Sequence, residues 1–89
     1  MDFDWDPAKD TSNERKHGLR FSTVIAVFLD ARAVEFDVSR PEDNEVRRKA
    51  VGLIDGRLFT VVYSRRNGVI RIISGRRSNV QEARQYGAR

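Results

Sequence analysis

Two dipeptides, Asp55-Gly56 and Asn67-Gly68, constrain the fold of this chain more than any other feature of its sequence. Each separates two runs that are rich in β-branched and aromatic residues. Asp-Gly and Asn-Gly are favoured in tight β-hairpin turns, because both central residues of such a turn need a positive φ. The flanking runs cover about 46–54, 57–64 and 69–76. The sequence therefore predicts three consecutive antiparallel strands joined by two hairpins.

The first thirty residues predict one strand and two helices. Phe3 and Trp5 alternate with aspartates, as in a strand with one buried face. Asp6-Pro7 is typical of a helix N-terminus, and Gly18 is typical of the left-handed residue that follows a helix ending near residue 17. A second helix is expected over about 22–29. Its apolar stripe consists of Phe21, Val24, Ile25, Phe28 and Leu29.

The remaining elements complete an α+β pattern. Val34, Phe36 and Val38 alternate with less apolar residues and predict a strand, which the polar loop 39–45 follows. A last helix begins at Ser78 or Asn79. Gln81 follows Ser78 by three residues and Glu82 follows Asn79 by three residues, which is the spacing of a capping box. The order β-α-α-β-β-β-β-α predicts a largely antiparallel sheet with the helices packed on one side.

Composition excludes several classes of function. The chain has no cysteine, so it contains no disulfide framework, zinc–thiolate site or thiol nucleophile. His17 is its one histidine, which excludes sites that need two imidazoles. No signal peptide is apparent at the start, and no apolar run approaches the ~18 residues of a membrane span. We expect one domain over residues 1–89, in the cytoplasm and without membrane contact.

Charge is distributed unevenly along the chain. Residues 1–45 hold eleven acids and six bases, a net of −5, whereas residues 46–89 hold two acids and eleven bases, a net of +9. Fourteen of the seventeen bases are arginines, which bind phosphate with two parallel hydrogen bonds and stack on nucleobases. A basic, arginine-rich half is typical of nucleic-acid binding. A solvated face of an ordinary soluble domain is the alternative.

Five phrases of the sequence resemble the BrnT family of bacterial type II toxins, in the same order and spacing over nearly the whole chain. They are WDPAK at 5–9, NERKHG at 13–18, VF at 27–28, RIISGRR at 71–77, and Glu82 with Tyr86. The resemblance implies a RelE-like fold, RNA as the substrate of a ribonuclease that halts translation, and inhibition by a BrnA antitoxin. That antitoxin carries a ribbon-helix-helix part, so DNA is contacted only through the complex. Gly75 stands where the family usually has alanine, and Ser22 and Thr23 stand where acids are common.

The resemblance also implies a set of site residues. Cleaving RNA without a metal requires a base, cations at the phosphorane and a proton donor. RelE-like enzymes supply these with basic residues and a tyrosine, and no cofactor is expected. The catalytic candidates are Arg47, Tyr63, Arg65, Arg76, Arg77 and Tyr86. The RNA-binding candidates are Lys9, Arg48, Lys49, Arg71 and Arg84.

Strand alternation makes predictions about how these candidates meet. Arg47 and Lys49 share one strand face, Tyr63 and Arg65 share a face of the next strand, and hairpin pairing allows both pairs to converge. Arg76 and Arg77 point to opposite faces of an ending strand. Parity favours Arg77 beside Arg71, and a bulge would reverse that choice.

Several residues have a structural alternative to a functional role. We expect His17 to be a capping or core-bonded histidine rather than a catalytic one, and Glu82 to belong to a capping box. Asp2, Asp4 and Asp6 are oxygen ligands that Mg²⁺ accepts, or else a solvated strand face and a helix cap. For the whole chain, the alternative to an endoribonuclease is a non-catalytic module that binds nucleic acid or an acidic partner.

Overall fold

The computed structural model describes residues 1–88 as an α+β fold. Within these residues no helix is long and apolar enough to cross a membrane. Short 3₁₀ helices occur at Ile25–Leu29 and Pro41–Asp43. The strands and α-helices follow in the order β1 (Asp2–Trp5), α1 (Pro7–His17), α2 (Phe21–Val24), β2 (Val34–Asp37), β3 (Arg47–Ile54), β4 (Arg57–Arg66), β5 (Val69–Arg77) and α3 (Val80–Gly87).

All five strands form one sheet in the order β1-β5-β4-β3-β2. The two predicted hairpins are confirmed: β3, β4 and β5 pair antiparallel, and both residues of each turn have positive φ. Asn67 and Gly68, for example, have φ of 52° and 78°. β2 adds antiparallel to β3, while β1 adds parallel to β5.

The second predicted helix is only partly α-helical. Its C-terminal half, Ile25–Leu29, is a 3₁₀ helix, which has three residues per turn. Phe21, Val24 and Val27 therefore share one buried line. Leu29, predicted on the apolar stripe, is 86% exposed, because the tighter winding rotates it away from the sheet.

Helices cover both faces of the sheet, so the prediction that they pack on one side is wrong. The core face, which carries Phe59, Val61 and Tyr63 of β4, packs against α2 and the 3₁₀ helix. The outer face carries the alternate residues Thr60, Val62 and Ser64. Thr60 hydrogen-bonds Glu82 of α3, at 2.9 Å, so α3 lies on the outer face.

The attachment of α1 to the sheet is polar. Its buried residues are Asp10 and Asn13. The Asn13 amide donates to the backbone oxygens of Leu19 (2.9 Å) and Gly75 (2.8 Å), and accepts from the Gly75 N–H at 3.0 Å. Pairing of β1 with β5 ends at Ile72, so Asn13 takes over the edge of β5 beyond that point. The side chain thus replaces a strand partner and fixes α1 beside β5.

Candidate active site

A cleft of about 220 Å³ opens between α1 and β5. Its α1 wall follows from helical spacing, since residues three, four and seven positions apart lie on one side of a helix. Its β5 wall is the edge that β1 leaves unpaired. The lining residues are Lys9, Ser12, Asn13, Lys16, His17, Ile73 and Ser74.

A β-bulge shapes the β5 side of this cleft. Val62 pairs with Ser74, but the next residue of β4, Tyr63, pairs with Ile72, which leaves Ile73 without a partner on β4. Bulges bend a strand and redirect its side chains, and they are frequent beside active sites. Ile73 and the neighbouring Ser74 both line the cleft.

His17 lies at the edge of this cleft and is exposed. The expectation of a core-bonded histidine is therefore wrong. It follows Lys16 in the last turn of α1. Within residues 1–88, its imidazole makes no hydrogen bond. The helix end is instead completed by Gly18 (φ 71°), whose N–H donates to the Glu14 oxygen at 2.8 Å. His17 is thus available to a ligand in the cleft.

The bulge reverses the prediction of which arginine at the end of β5 shares a face with Arg71. Arg71 pairs with Ser64 and Arg76 pairs with Thr60, so both lie on the outer face. Arg77 pairs with Phe59 on the core face, and its guanidinium lies 5.5 Å from the centre of the Phe59 ring. Because the bulge inserts one residue between them, Arg71 shares a face with Arg76 rather than with Arg77.

The predicted convergence of two pairs from β3 and β4 is also wrong. Arg47 pairs with Ser64 and Lys49 pairs with Val62, which places both bases on the outer face. Tyr63 and Arg65 alternate along β4 with the residues that pair with these bases, so they lie on the core face. Arg48, which pairs with Tyr63, is on the core face too. The hairpin register therefore puts the β3 and β4 candidates on opposite sides of the sheet.

Arg65 and Arg77 lie near opposite ends of the sheet. Arg77 pairs with Phe59, six residues before Arg65 on β4. At a rise of about 3.3 Å per residue, this separates the two positions by about 20 Å. They do not meet at a common phosphate.

Both candidate tyrosines direct their hydroxyl groups to carboxylates outside the cleft. Tyr63 is fully buried, its ring packs edge-on against Phe28, and its hydroxyl donates to Glu35. The Tyr86 hydroxyl donates to Asp30 at 2.6 Å. Both side chains thus tie elements of the fold together.

The remaining candidates differ in their partners. Arg47 forms ion pairs with Asp43 and Glu45, each at 3.4 Å, and Arg71 pairs with Asp4 at 3.2 Å. Within residues 1–88, neither Arg48 nor Arg84 forms an ion pair, and Arg84 is exposed on α3.

The predicted capping box at Glu82 is confirmed, and the same side chain also forms two ion pairs. Asn79 is the N-cap, accepting from the Glu82 N–H at 2.8 Å, and the Asn79 N–H donates back to the Glu82 carboxylate at 2.9 Å. The same carboxylate binds Arg76 and Lys49. Burial alone would raise the pKa of Glu82, but the hydrogen bonds that it accepts, first among them those from Arg76, hold this pKa well below its ordinary value. The hydrogen bond with Glu82 raises the pKa of Arg76.

The aspartates at the start of the chain have structural partners or face solvent. The Asp6 carboxylate caps α1 by accepting from the Ala8 N–H at 2.9 Å, and Asp4 pairs with Arg71. In the part of the chain that the structure describes, no three carboxylate or imidazole side chains lie together as metal ligands would. Asp2 and Asp4 lie on a solvated strand face, and Asp6 is a helix cap.

Lys9 was predicted to contact RNA, but the cleft that it lines was not predicted. The sequence did contain a feature that could have indicated this cleft. The residues of α1 from Lys9 to His17 include no large apolar side chain, although the helix lies against the sheet. A helix without an apolar stripe must be attached by polar groups. Those groups, and the cations beside them, line the cleft.

The chain matches a known protein family over most of its length. Residues 5–82 match a family model described as the ribonuclease toxin BrnT of type II toxin–antitoxin systems. No curated protein matches the chain. The matched range contains both walls of the cleft: α1 with Lys9, Lys16 and His17, and β5 with Ile73 and Ser74. The chain belongs to the BrnT family of ribonuclease toxins of type II toxin–antitoxin systems.

Proposed function

We propose that this toxin is a metal-independent endoribonuclease whose reacting groups lie in the α1–β5 cleft. One observation carries the proposal: an exposed imidazole, His17, shares a cleft with the two lysines Lys9 and Lys16. An imidazole can accept the proton of an attacking 2′-hydroxyl, and nearby ammonium groups can stabilise the charge that develops on the phosphorane. The outcome is a 2′,3′-cyclic phosphate on one fragment and a 5′-hydroxyl on the other.

Each polar residue of the cleft has a role in this reaction. His17 takes the proton from the 2′-hydroxyl as its oxygen attacks the phosphorus. Lys9 and Lys16 stabilise the negative charge that develops on the phosphorane, and one ammonium protonates the departing 5′-oxygen. Ser12 and Ser74 are hydroxyl donors for the phosphate oxygens. The Asn13 bond to Gly75 holds the two walls at a fixed separation.

The cellular consequences are part of the same proposal. Cleavage of messenger RNA in the cytoplasm halts translation. The inhibitor is a BrnA-like antitoxin with a ribbon-helix-helix part, and an acidic segment of it covers the cations of the cleft. Co-expression with a cognate antitoxin is expected to yield a stable complex that binds DNA, whereas the toxin alone does not.

The direct test is cleavage of a synthetic RNA by the purified toxin in excess EDTA. We expect fragments with 2′,3′-cyclic phosphate ends. His17→Ala and Lys16→Ala are each expected to lower the rate by ~10²-fold or more, the usual cost of removing one preorganised catalytic group. Circular dichroism verifies that each variant is folded.

Arg15→Ala is the matched control. Arg15 precedes Lys16 on α1 and is exposed, but it does not line the cleft, so its loss removes the same charge without touching the site. A rate that falls equally for Arg15→Ala and Lys16→Ala would contradict the assignment of the cleft. RNA binding without cleavage would favour the non-catalytic module, and activity that needs Mg²⁺ would contradict metal independence.

A further inference from the structure

The outer edge of β2 has no partner strand within residues 1–88, because β2 is last in the sheet and pairs with β3 alone. The Val38 N–H donates to the Arg47 oxygen at 2.9 Å, which fixes the alternation of this antiparallel ladder. Successive residues of such a strand turn their backbone groups alternately towards the neighbour and away from it. The N–H and C=O groups of Glu35 and Asp37 therefore point away from β3.

β2 also lacks the features that commonly protect an edge strand from pairing. Natural sheet edges are often shielded by lysine, by proline or by a β-bulge. Val34–Asp37 contains neither residue type, and its register with β3 is unbroken. The outward backbone groups of β2 are therefore accessible to a further strand, which would lie about 4.8 Å away.

The chain around β2 is acidic, although the protein as a whole is basic. Residues 30–45 hold six acids and two bases, a net of −4, whereas the whole chain has a net charge of +4. The exposed side chains of β2 are Glu35 and Asp37, which share one face and form no ion pair within the described residues. Arg48, opposite Asp37 on β3, offsets one of these two charges. A net negative charge therefore remains beside the open edge.

This charge selects the kind of partner that the edge accepts. Nucleic acid is repelled by it. A second copy of β2 would place acids beside acids, which destabilises strand pairing. An extended protein segment in which basic residues alternate with apolar ones fits both faces of the strand. Its cations would lie beside Glu35 and Asp37, and its apolar side chains beside the half-buried Val34 and Phe36.

We propose that β2 is a docking edge for an extended basic segment of another protein, which adds to the sheet as a sixth strand. Backbone hydrogen bonds supply the affinity of such an addition, and alternate side chains supply its specificity. β2 lies three strands away from β5, which corresponds to about 14 Å across the sheet. The α1–β5 cleft therefore stays uncovered, and the docking edge is independent of the proposed ribonuclease reaction.

The first test titrates a short synthetic peptide, in which lysine alternates with valine, into the isotopically labelled full-length toxin. We expect NMR shifts concentrated in β2 and β3, and slower hydrogen exchange at the Glu35 and Asp37 amides. A peptide with glutamate in place of lysine is expected to bind about tenfold more weakly, because like charges then face each other. Absence of binding by the lysine peptide, or shifts confined to other elements, would overturn the proposal. A short RNA that shifts the same two amides would overturn the preference for protein.

Backbone methylation separates strand addition from simple charge attraction. Two further peptides keep all the side chains but carry N-methyl groups on one or the other alternate set of amides. In an added strand, one set of amides faces β2 and the other faces solvent. We therefore expect one methylated peptide to lose binding and the other to retain it. Equal binding by the two methylated peptides would overturn strand addition.

Paired substitutions in the toxin test the charge of the edge. Glu35→Gln combined with Asp37→Asn removes both charges and keeps oxygen acceptors for the Tyr63 hydroxyl and the Ser39 N–H. This variant is expected to bind the lysine peptide about tenfold more weakly.

Glu14→Gln combined with Glu42→Gln is the matched control, because it removes two exposed acids that lie outside β2. It is expected to bind the lysine peptide as the wild type does, and thermal melting verifies that both double variants are folded. Equal weakening in the two double variants would overturn the assignment to β2, since the overall charge of the protein would then suffice.

Discussion

Glu82 and Arg76 form a bidentate ion pair, with distances of 2.7 Å and 2.8 Å between the guanidinium nitrogens and the carboxylate oxygens. The pair joins the first turn of α3 to the end of β5, and Thr60 and Lys49 also donate to the same carboxylate. Few apolar groups hold α3 to the outer face, and Val80 at its start is exposed. The attachment of α3 thus depends on a buried charge remaining ionised.

That dependence predicts acid sensitivity. The pKa of Glu82 is lowered in the folded protein, so its contribution to the free energy of unfolding is complete above its unfolded pKa, near 4.5, and is lost as the pH falls below it. Urea denaturation from pH 7 to pH 3 is expected to show a midpoint that declines below about pH 4.5. Glu82→Gln is expected to be less stable at pH 7, with a shallower decline. Glu42→Gln, at an exposed acid, is the control. Parallel pH profiles for the wild type and Glu82→Gln would contradict this account.

Asn13 is predicted to stabilise the fold more than any other residue of α1. Asn13→Ala leaves the buried N–H and oxygen of Gly75 without their partner, at a cost of about 2–4 kcal/mol in the free energy of unfolding. The melting temperature is expected to fall by roughly 10 °C or more for a chain of this size. Glu14→Ala, at the next and exposed position, is expected to change it little. Similar melting temperatures for Asn13→Ala and the wild type would contradict the edge-pairing role.

The side chain of Val24 leaves too little room for a Cβ atom at position 75, so we predict that this position requires glycine. A Cβ atom at Gly75 would lie 2.8 Å from both γ-carbons of Val24, which is too close for ordinary contact. Gly75→Ala is therefore expected to destabilise the protein by about 1–3 kcal/mol, as overpacking of a core does. Adding Val24→Ala is expected to cost less in the Gly75→Ala background than in the wild type. Chemical denaturation of the four proteins measures this coupling, and strictly additive losses would contradict it.

The position of Arg77 predicts that its removal is mild. Arg77 lies on the core face over the Phe59 ring, whereas Arg76 and the lining residue Ser74 lie on the outer face. We expect Arg77→Ala and Arg65→Ala to cleave RNA at near the wild-type rate. A loss of ~10²-fold in both, comparable to that expected of a catalytic group, would move the reaction to the core face and contradict the cleft assignment.

Much of the secondary structure was predictable because its causes are local. Asp6 accepts the helix-capping hydrogen bond of α1, Gly18 has the left-handed conformation that ends this helix, and Asn79 caps α3. Each of these depends on a few neighbouring residues. Leu29 was mispredicted because the change from α to 3₁₀ winding follows from packing on the sheet, which no local pattern reveals.

The candidate site was less predictable, because its geometry depends on contacts between distant residues. Lys9 and the arginines were recognised as candidates, but the family resemblance carried most of that choice. The expectation that His17 is bonded in the core was wrong, because its side chain is exposed at the end of α1. This exposure became visible only once α1 was docked. The docking bond joins Asn13 to Gly75, 62 residues later in the chain.

By itself, the sequence determined the strands, the two hairpins, the ends of α1 and α3, and a basic second half. Turn residues, caps and alternation act over a few positions, and they hold wherever the chain folds. Only the tertiary structure decided which side chains share a face. Alternation along a strand has a period of two, so the unpaired Ile73 alone exchanges the sides of Arg76 and Arg77. The pairing of Lys49 with Glu82, 33 residues apart, likewise exists only because α3 packs on the outer face.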